Sequence, residues 1–120
     1  MIRIFLFLVL CSCVLTACDI DESMRAKSQN QAAANIMAIA SSNGCMGCHA
    51  VNITVVGPAW TLVAKHYEGK TEARAFLIEK IKKGGDGNWN RLTGGVKMPS
   101  HEGMPEDDIA QIVDYILTLN

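Results

Sequence analysis

Cys45-Met46-Gly47-Cys48-His49 sets two thiols and an imidazole within five consecutive positions. Three kinds of chemistry use such a cluster: a redox dithiol, half of a metal site, and the covalent attachment of haem. A redox CxxC opens a helix that follows a strand, where the helix N-terminus lowers the thiol pKa. Here the motif instead follows an alanine-rich helical stretch, and the chain has no βαβ pattern. Structural zinc needs a fourth ligand, usually from a second pair, and N-terminal processing accounts for every other cysteine. Haem attachment meets no such obstacle. C-x-x-C-H is the c-type signature: two thioethers tie the porphyrin vinyl groups, and the next residue offers its imidazole to the iron.

An imidazole on one side leaves the second axial position open. A methionine thioether there raises the potential and suits electron transfer. Met98 in "VKMPS" is favoured, because it lies in a long downstream loop and Pro99 stiffens its backbone. Met104 is a second candidate, and His101 would give bis-histidine ligation. Met37 and Met46 read as a core residue and a spacer, and His66 as a surface histidine on a short helix.

In bacteria cysteines are joined to haem outside the cytoplasm, so this chemistry also demands export. The N-terminus meets that demand independently. Arg3 is followed by an uncharged, mostly apolar run from Ile4 to Ala17, too short for a permanent span of about 20 residues. Such a run reads as a secretory signal. Its end, Leu15-Thr16-Ala17-Cys18, resembles the lipobox of bacterial lipoproteins, in which the cysteine is lipidated and becomes the new N-terminus. Cys11 and Cys13 make poorer boxes and would leave with the signal. The alternative is an ordinary signal cut near Ala17, which leaves a soluble protein.

Cleavage before Cys18 removes 17 of the 120 residues and, with them, Arg3. The remaining 10 basic side chains face 12 acidic ones, a balance that points away from nucleic acid. Asp19 to Asn30 is polar and mixed in charge and is expected to be a flexible tether, spanning on the order of 20 Å as a coil. The expected organisation is a signal at 1–17, a lipidated Cys18 with its tether to residue 30, and one domain at 31–120.

The elements that position the motif follow from periodicity. Ser28 and Gln31 form a capping-box pattern, and Ile36, Met37, Ile39 and Ala40 share one face of a helix that Gly44 can end in a left-handed conformation. Gly57-Pro58 breaks the chain. Trp60–Tyr67 is a predicted helix ended by Gly69, and Thr71 is expected to cap the next, whose last turn carries Lys80, Lys82 and Lys83. The six glycines of residues 84–104 mark a loop with no strand pattern, long enough to imply a functional reason. Pro105 and three acids open a final amphipathic helix built on Ile109, Ile112, Val113 and Ile116.

"CMGCHAV", "VGPAW", "IKKGGDGNW", "KMP" and the acidic-start terminal helix, in that order, resemble the short bacterial class I cytochromes c. The likeness runs from about residue 31 to 120. It implies an all-α cytochrome c fold, about four short helices wrapped around one covalently bound haem c. It also implies thioethers at Cys45 and Cys48, with His49 as proximal and Met98 as distal iron ligand. The Pro58 carbonyl would accept the His49 Nδ1–H, Trp89 would donate to a haem propionate, and Tyr115 would pack where the terminal helices cross. Two positions depart from close relatives. Lys80 stands where arginine often holds a propionate, and "SHEG" replaces an asparagine-containing turn after the methionine.

The expected function is a monohaem electron carrier, not an enzyme, docking transiently with redox donor and acceptor proteins. Lys97, with Lys80, Lys82 and Lys83, could face an acidic partner. A monomer is favoured, with no nucleic acid as partner. Asp19 after Cys18 resembles an inner-membrane retention signal, which suggests the periplasmic face of that membrane. The competing function is a haem enzyme or small-ligand binder with an open iron site. A sensor module would need a fused output domain, and none is expected here.

Overall fold

The computed structural model describes the backbone of residues 2–120 and the side chains of residues 21–120. The signal expected at 1–17 and the lipidation expected at Cys18 lie outside the described side chains. Contacts divide the chain into residues 1–35 and residues 36–120.

Helix α1 (Ile2–Ser42) runs through the segment expected to be a coil. Side chains 21–30 are all exposed, so polarity was the wrong guide there. Glu22, Met24, Arg25, Ala26, Lys27 and Gln29 are strong helix formers, and Arg25 pairs with Asp21 at 3.1 Å, one turn apart. Ser28 and Gln31 therefore sit inside the helix, and no capping box forms at that point.

In the second unit, the last turns of α1 bury Ile36 and Ala40, with Met37 and Ile39 packed alongside. Gly44 ends them at φ 76°, a left-handed conformation open to glycine at little cost. A 3₁₀ turn (Cys45–Gly47) follows, then α2 (Trp60–Tyr67), α3 (Ala73–Lys83), α4 (Asn90–Thr93) and α5 (Glu106–Leu117). Among the described residues there is no strand, only two isolated bridges.

Helical spacing assigns each buried face. Helix α2 buries Trp60, Val63, Ala64 and Tyr67; α3 buries Ala73, Leu77 and Ile81; α5 buries Ile109, Ile112, Val113 and Ile116. These stripes meet in one cluster with Met104 and the end of α1. Trp60 meets Tyr115 of α5 edge to face at 6.2 Å, a geometry that aromatic quadrupoles favour. Helix α5 also closes on α3 from outside. Arg74 donates to both Asp114 oxygens at 2.7 and 3.0 Å, and Lys82 reaches Glu106 at 3.1 Å. Both pairs are largely exposed, so they set register more than stability.

Two expected caps differ. Thr71 turns its hydroxyl to Glu72 and leaves α3 without a side-chain cap. Pro105 takes the N-cap position of α5 itself, at ψ 135°. Helix α4 interrupts the loop read as structureless; Asn90 accepts the Gly87 N–H at 3.1 Å and closes that turn, a local bond that hydrophobic periodicity does not register.

Ile112 is 1% exposed, within the α5 stripe that α2 and α3 cover. Ile112→Ala is expected to lower unfolding free energy by about 2–5 kcal/mol, read from the guanidinium midpoint at constant slope.

Candidate functional site

The segment from Cys45 to Pro58 folds into a closed loop held by its own backbone. His49 N–H donates to the Cys45 carbonyl at 2.9 Å, and the Cys48 carbonyl accepts from Val56 and Gly57 at 3.1 and 2.7 Å. The first amides of α2 then find partners across the loop, Trp60 on Ala50 and Thr61 on Val51, both at 3.0 Å. Helix N-termini leave such donors orphaned otherwise. This closure brings Pro58 back to His49, whose Nδ1 lies 2.8 Å from the Pro58 carbonyl. A carbonyl can only accept, so a proton sits on Nδ1, and in the neutral ring Nε2 keeps its lone pair. The imidazole is thereby fixed as a donor through Nε2.

Gly57 completes this cradle by having no side chain. A Cβ there would stand 2.7 Å from Nε2 and 2.8 Å from Nδ1 of His49. Only a glycine lets the backbone lie flat against the ring.

The other contributor lies far along the chain. Gly85 and Met98 form an antiparallel bridge, with Gly85 N–H to Met98 O at 2.8 Å and Met98 N–H to Gly85 O at 3.0 Å. Beyond Met98, Ser100 Oγ donates to the Lys82 carbonyl at 2.8 Å, and His101 N–H reaches the Ile81 and Lys82 carbonyls. Carbonyls at the end of α3 therefore hold the segment just after Met98, while Gly85 holds Met98 itself. Gly84, at φ 66°, permits the close approach, since a Cβ there would meet the Met98 carbonyl at 2.5 Å.

Both segments open onto one cavity of about 360 Å³. Cys45, Cys48, His49 and Met98 all line it, and Leu77, Ile81 and Ile112 supply apolar wall. Two thiols, an imidazole with a free Nε2 and a thioether converging on an apolar cavity suit a covalently attached, iron-bearing porphyrin. They do not suit the alternatives. Burial pushes the Cys45 thiol above its usual pKa, against a smaller lowering by its own backbone amide; a reactive dithiol needs the reverse. Among the described residues, no group of three or more His, Cys, Asp and Glu could hold a metal ion alone.

The cytochrome c family model matches residues 33–120. The chain belongs to the cytochrome c family. It is 40% identical over 83 residues to cytochrome c-551 of Allochromatium vinosum, covering 69% of this chain and 84% of that protein. It is also 40% identical over 81 residues to cytochrome c-552 of Hydrogenobacter thermophilus, covering 68% and 78%. The crystal structure of Nitrosomonas europaea cytochrome c552 superposes with a TM-score of 0.62 at 36% identity, over 70% of this chain and 99% of that one. The fold expected from the motifs is thus the observed one. This cytochrome carries one covalently bound haem c and is an electron-transfer protein, not an enzyme.

The remaining expected site residues fall in different places. Met104 is buried in the core and does not line the cavity, whereas His101 does. Trp89 lines the cavity and packs edge-on against His66 at 5.2 Å. His66 is exposed, as read from its helix, but forms part of an aromatic rim with Tyr67. Lys80 lines the cavity as well. Its ammonium donates to the Gly84 and Asp86 carbonyls at 3.0 and 2.6 Å. The sequence left Gly57, the Gly85–Met98 pair and the Asn88–Tyr67 hydrogen bond at 3.1 Å unread; "VGP" and "KGG" were the only signals.

Gly57→Ala is expected to cost about 1–3 kcal/mol of holoprotein stability through overpacking, measured by denaturant titration followed at the Soret band.

Proposed function

We propose that this cytochrome is a periplasmic electron carrier tethered to the inner membrane through a lipid on Cys18. In this reading Cys45 and Cys48 form the haem thioethers, His49 is the proximal ligand and Met98 the distal one. The observation that carries the ligand reading is the shared cavity of His49 and Met98, one ring oriented by Pro58 and one methionine whose backbone is pinned by Gly85. The haem supplies a reversible one-electron iron centre. The chain's part is to keep the same two donors in place in either oxidation state. His49 keeps its Nδ1 proton on Pro58, and this bond strengthens the ring as a donor. Met98 is held by backbone pairing, so its thioether does not depend on its own weak bond for position.

Partner docking is supported by the rim. Val56 and Val96 line the cavity while 40% and 55% exposed, and they offer apolar contact around it. Lys97 also lines it and, among the described residues, pairs with no carboxylate. Lys82 and Lys83 are instead engaged by Glu79 and Glu106, and Lys80 by the loop. Of the four lysines expected to steer a partner, Lys97 is the one left free to do so. Contacts of this kind give small, salt-sensitive encounters with acidic donors or acceptors.

Tethering rests on the lipobox-like Leu15-Thr16-Ala17-Cys18, and the inner membrane on Asp19. Among the described residues no helix is long and apolar enough to cross a membrane. We expect Cys18→Ser to move the haem-bearing protein from the membrane fraction to the periplasmic extract. Intact mass of the wild type should exceed the residue 18–120 mass by one haem plus acyl chains; a haem adduct alone would reject the tether.

The open-site enzyme makes the contrary forecast at Met98. Wild-type ferric protein is expected to resist cyanide, and Met98→Ala to bind it at least about tenfold more tightly, a change of 1.4 kcal/mol. Equal binding by the two would reject Met98 as ligand.

A further inference from the structure

Lys80 lies at the end of α3, and both its backbone and its side chain engage the turn that follows. Its carbonyl accepts the Gly84 N–H at 2.8 Å. Its ammonium returns to the Gly84 carbonyl at 3.0 Å and to the Asp86 carbonyl at 2.6 Å. These carbonyls flank Gly85, and Gly85 is the residue whose N–H and C=O pair with Met98. One cation thus clamps the turn on either side of the single residue that holds the thioether strand.

We propose that Lys80 is a positioning residue for Met98, a latch that keeps the Gly84–Asp86 turn shaped for the Gly85–Met98 pairing. The proposal rests on the reading of Met98 as iron ligand. Three features carry it. Charge-assisted donors to carbonyls are stronger than neutral ones. Lys80 is half-buried and lines the cavity, where water competes less for its ammonium. The turn is otherwise glycine-rich, with Gly84, Gly85 and Gly87 all at positive φ, so backbone freedom is large and the ammonium adds to the few backbone bonds that restrict it. An ammonium with three donors can serve two converging carbonyls at once. This gives Lys80 a role distinct from that of a propionate partner.

The test uses the purified ferric holoprotein and measures imidazole binding, which requires the thioether to leave the iron, together with amide exchange at Gly85 and Met98. In Lys80→Met, imidazole association is expected to speed at least about tenfold, equivalent to 1.4 kcal/mol. The Gly85 and Met98 amides should lose protection by a similar factor, while Ile112 and Val113 amides stay unchanged. Lys80→Arg, which can also donate to two carbonyls, should restore both to within about twofold of wild type. Lys83→Met, which removes an exposed ion pair within α3 alone, should change neither.

If Lys80→Met matures poorly, Lys80→Gln can still donate to one carbonyl and should fall between. Unchanged imidazole rates and exchange in Lys80→Met would overturn the latch, as would Lys80→Arg behaving like Lys80→Met. A changed potential with unaltered exchange would assign Lys80 to the propionate and also overturn it. If wild type already binds imidazole as fast as Met98→Ala, the ligand reading fails. Exchange at Gly85 and Met98 then judges the latch by itself.

Discussion

The antiparallel pairing of Gly85 with Met98 is the constraint on which the rest of this structure turns. A thioether is a weak, uncharged donor, and nothing in its own chemistry would carry a distant loop to the cavity. Two backbone hydrogen bonds at 2.8 and 3.0 Å do so. They place Met98 relative to the end of α3, and the Ser100 and His101 bonds to the same helix end prevent the segment from swinging away. Helix α3 is in turn registered against α5 by Leu77 and Ile81 inside and by Arg74–Asp114 outside. The packing of the core therefore sets the position of one sulfur atom.

The imidazole side is built differently. His49 and Pro58 are nine residues apart, and the loop between them closes on itself through the Cys48 carbonyl. A local loop can hold its geometry with little help from the distant chain, whereas the methionine side needs the whole helical assembly. This asymmetry predicts which side yields first. Any loosening of α3 or α5 releases Met98 before it disturbs His49. With His49 and Met98 as the proposed donors, the same arrangement would serve electron transfer, because donors that the protein fixes would not need to move when the charge on the iron changes.

The division also explains what the sequence revealed. Cys45, Cys48 and His49 were legible because their chemistry is written in adjacent letters. Helices α2 and α5 were legible because their buried faces recur at helical spacing. Lys80 was legible only as a charge, because the carbonyls it meets converge only once Gly84 and Gly85 turn. Gly57 was legible as a chain break but not as a neighbour of His49, since its task is to leave free the space the His49 ring occupies. The helix through residues 21–30 was missed because polar composition was weighted above the propensities of the individual residues. Met98 stood above Met104 on the strength of Pro99 and its loop; the structure separates the two by burying Met104 in the core.

The account rests on a thioether and an imidazole bound to one covalently held iron. The most direct measurement is the proton–carbon NMR spectrum of the reduced protein, grown with methyl-labelled methionine. A methyl group on the iron sits over the porphyrin ring, and the ring current moves its resonance far upfield of ordinary methionines. One such resonance is expected, lost in Met98→Ala and retained in Met104→Leu. No shifted methyl in the wild type, or one that disappears with Met104 instead, would contradict the account.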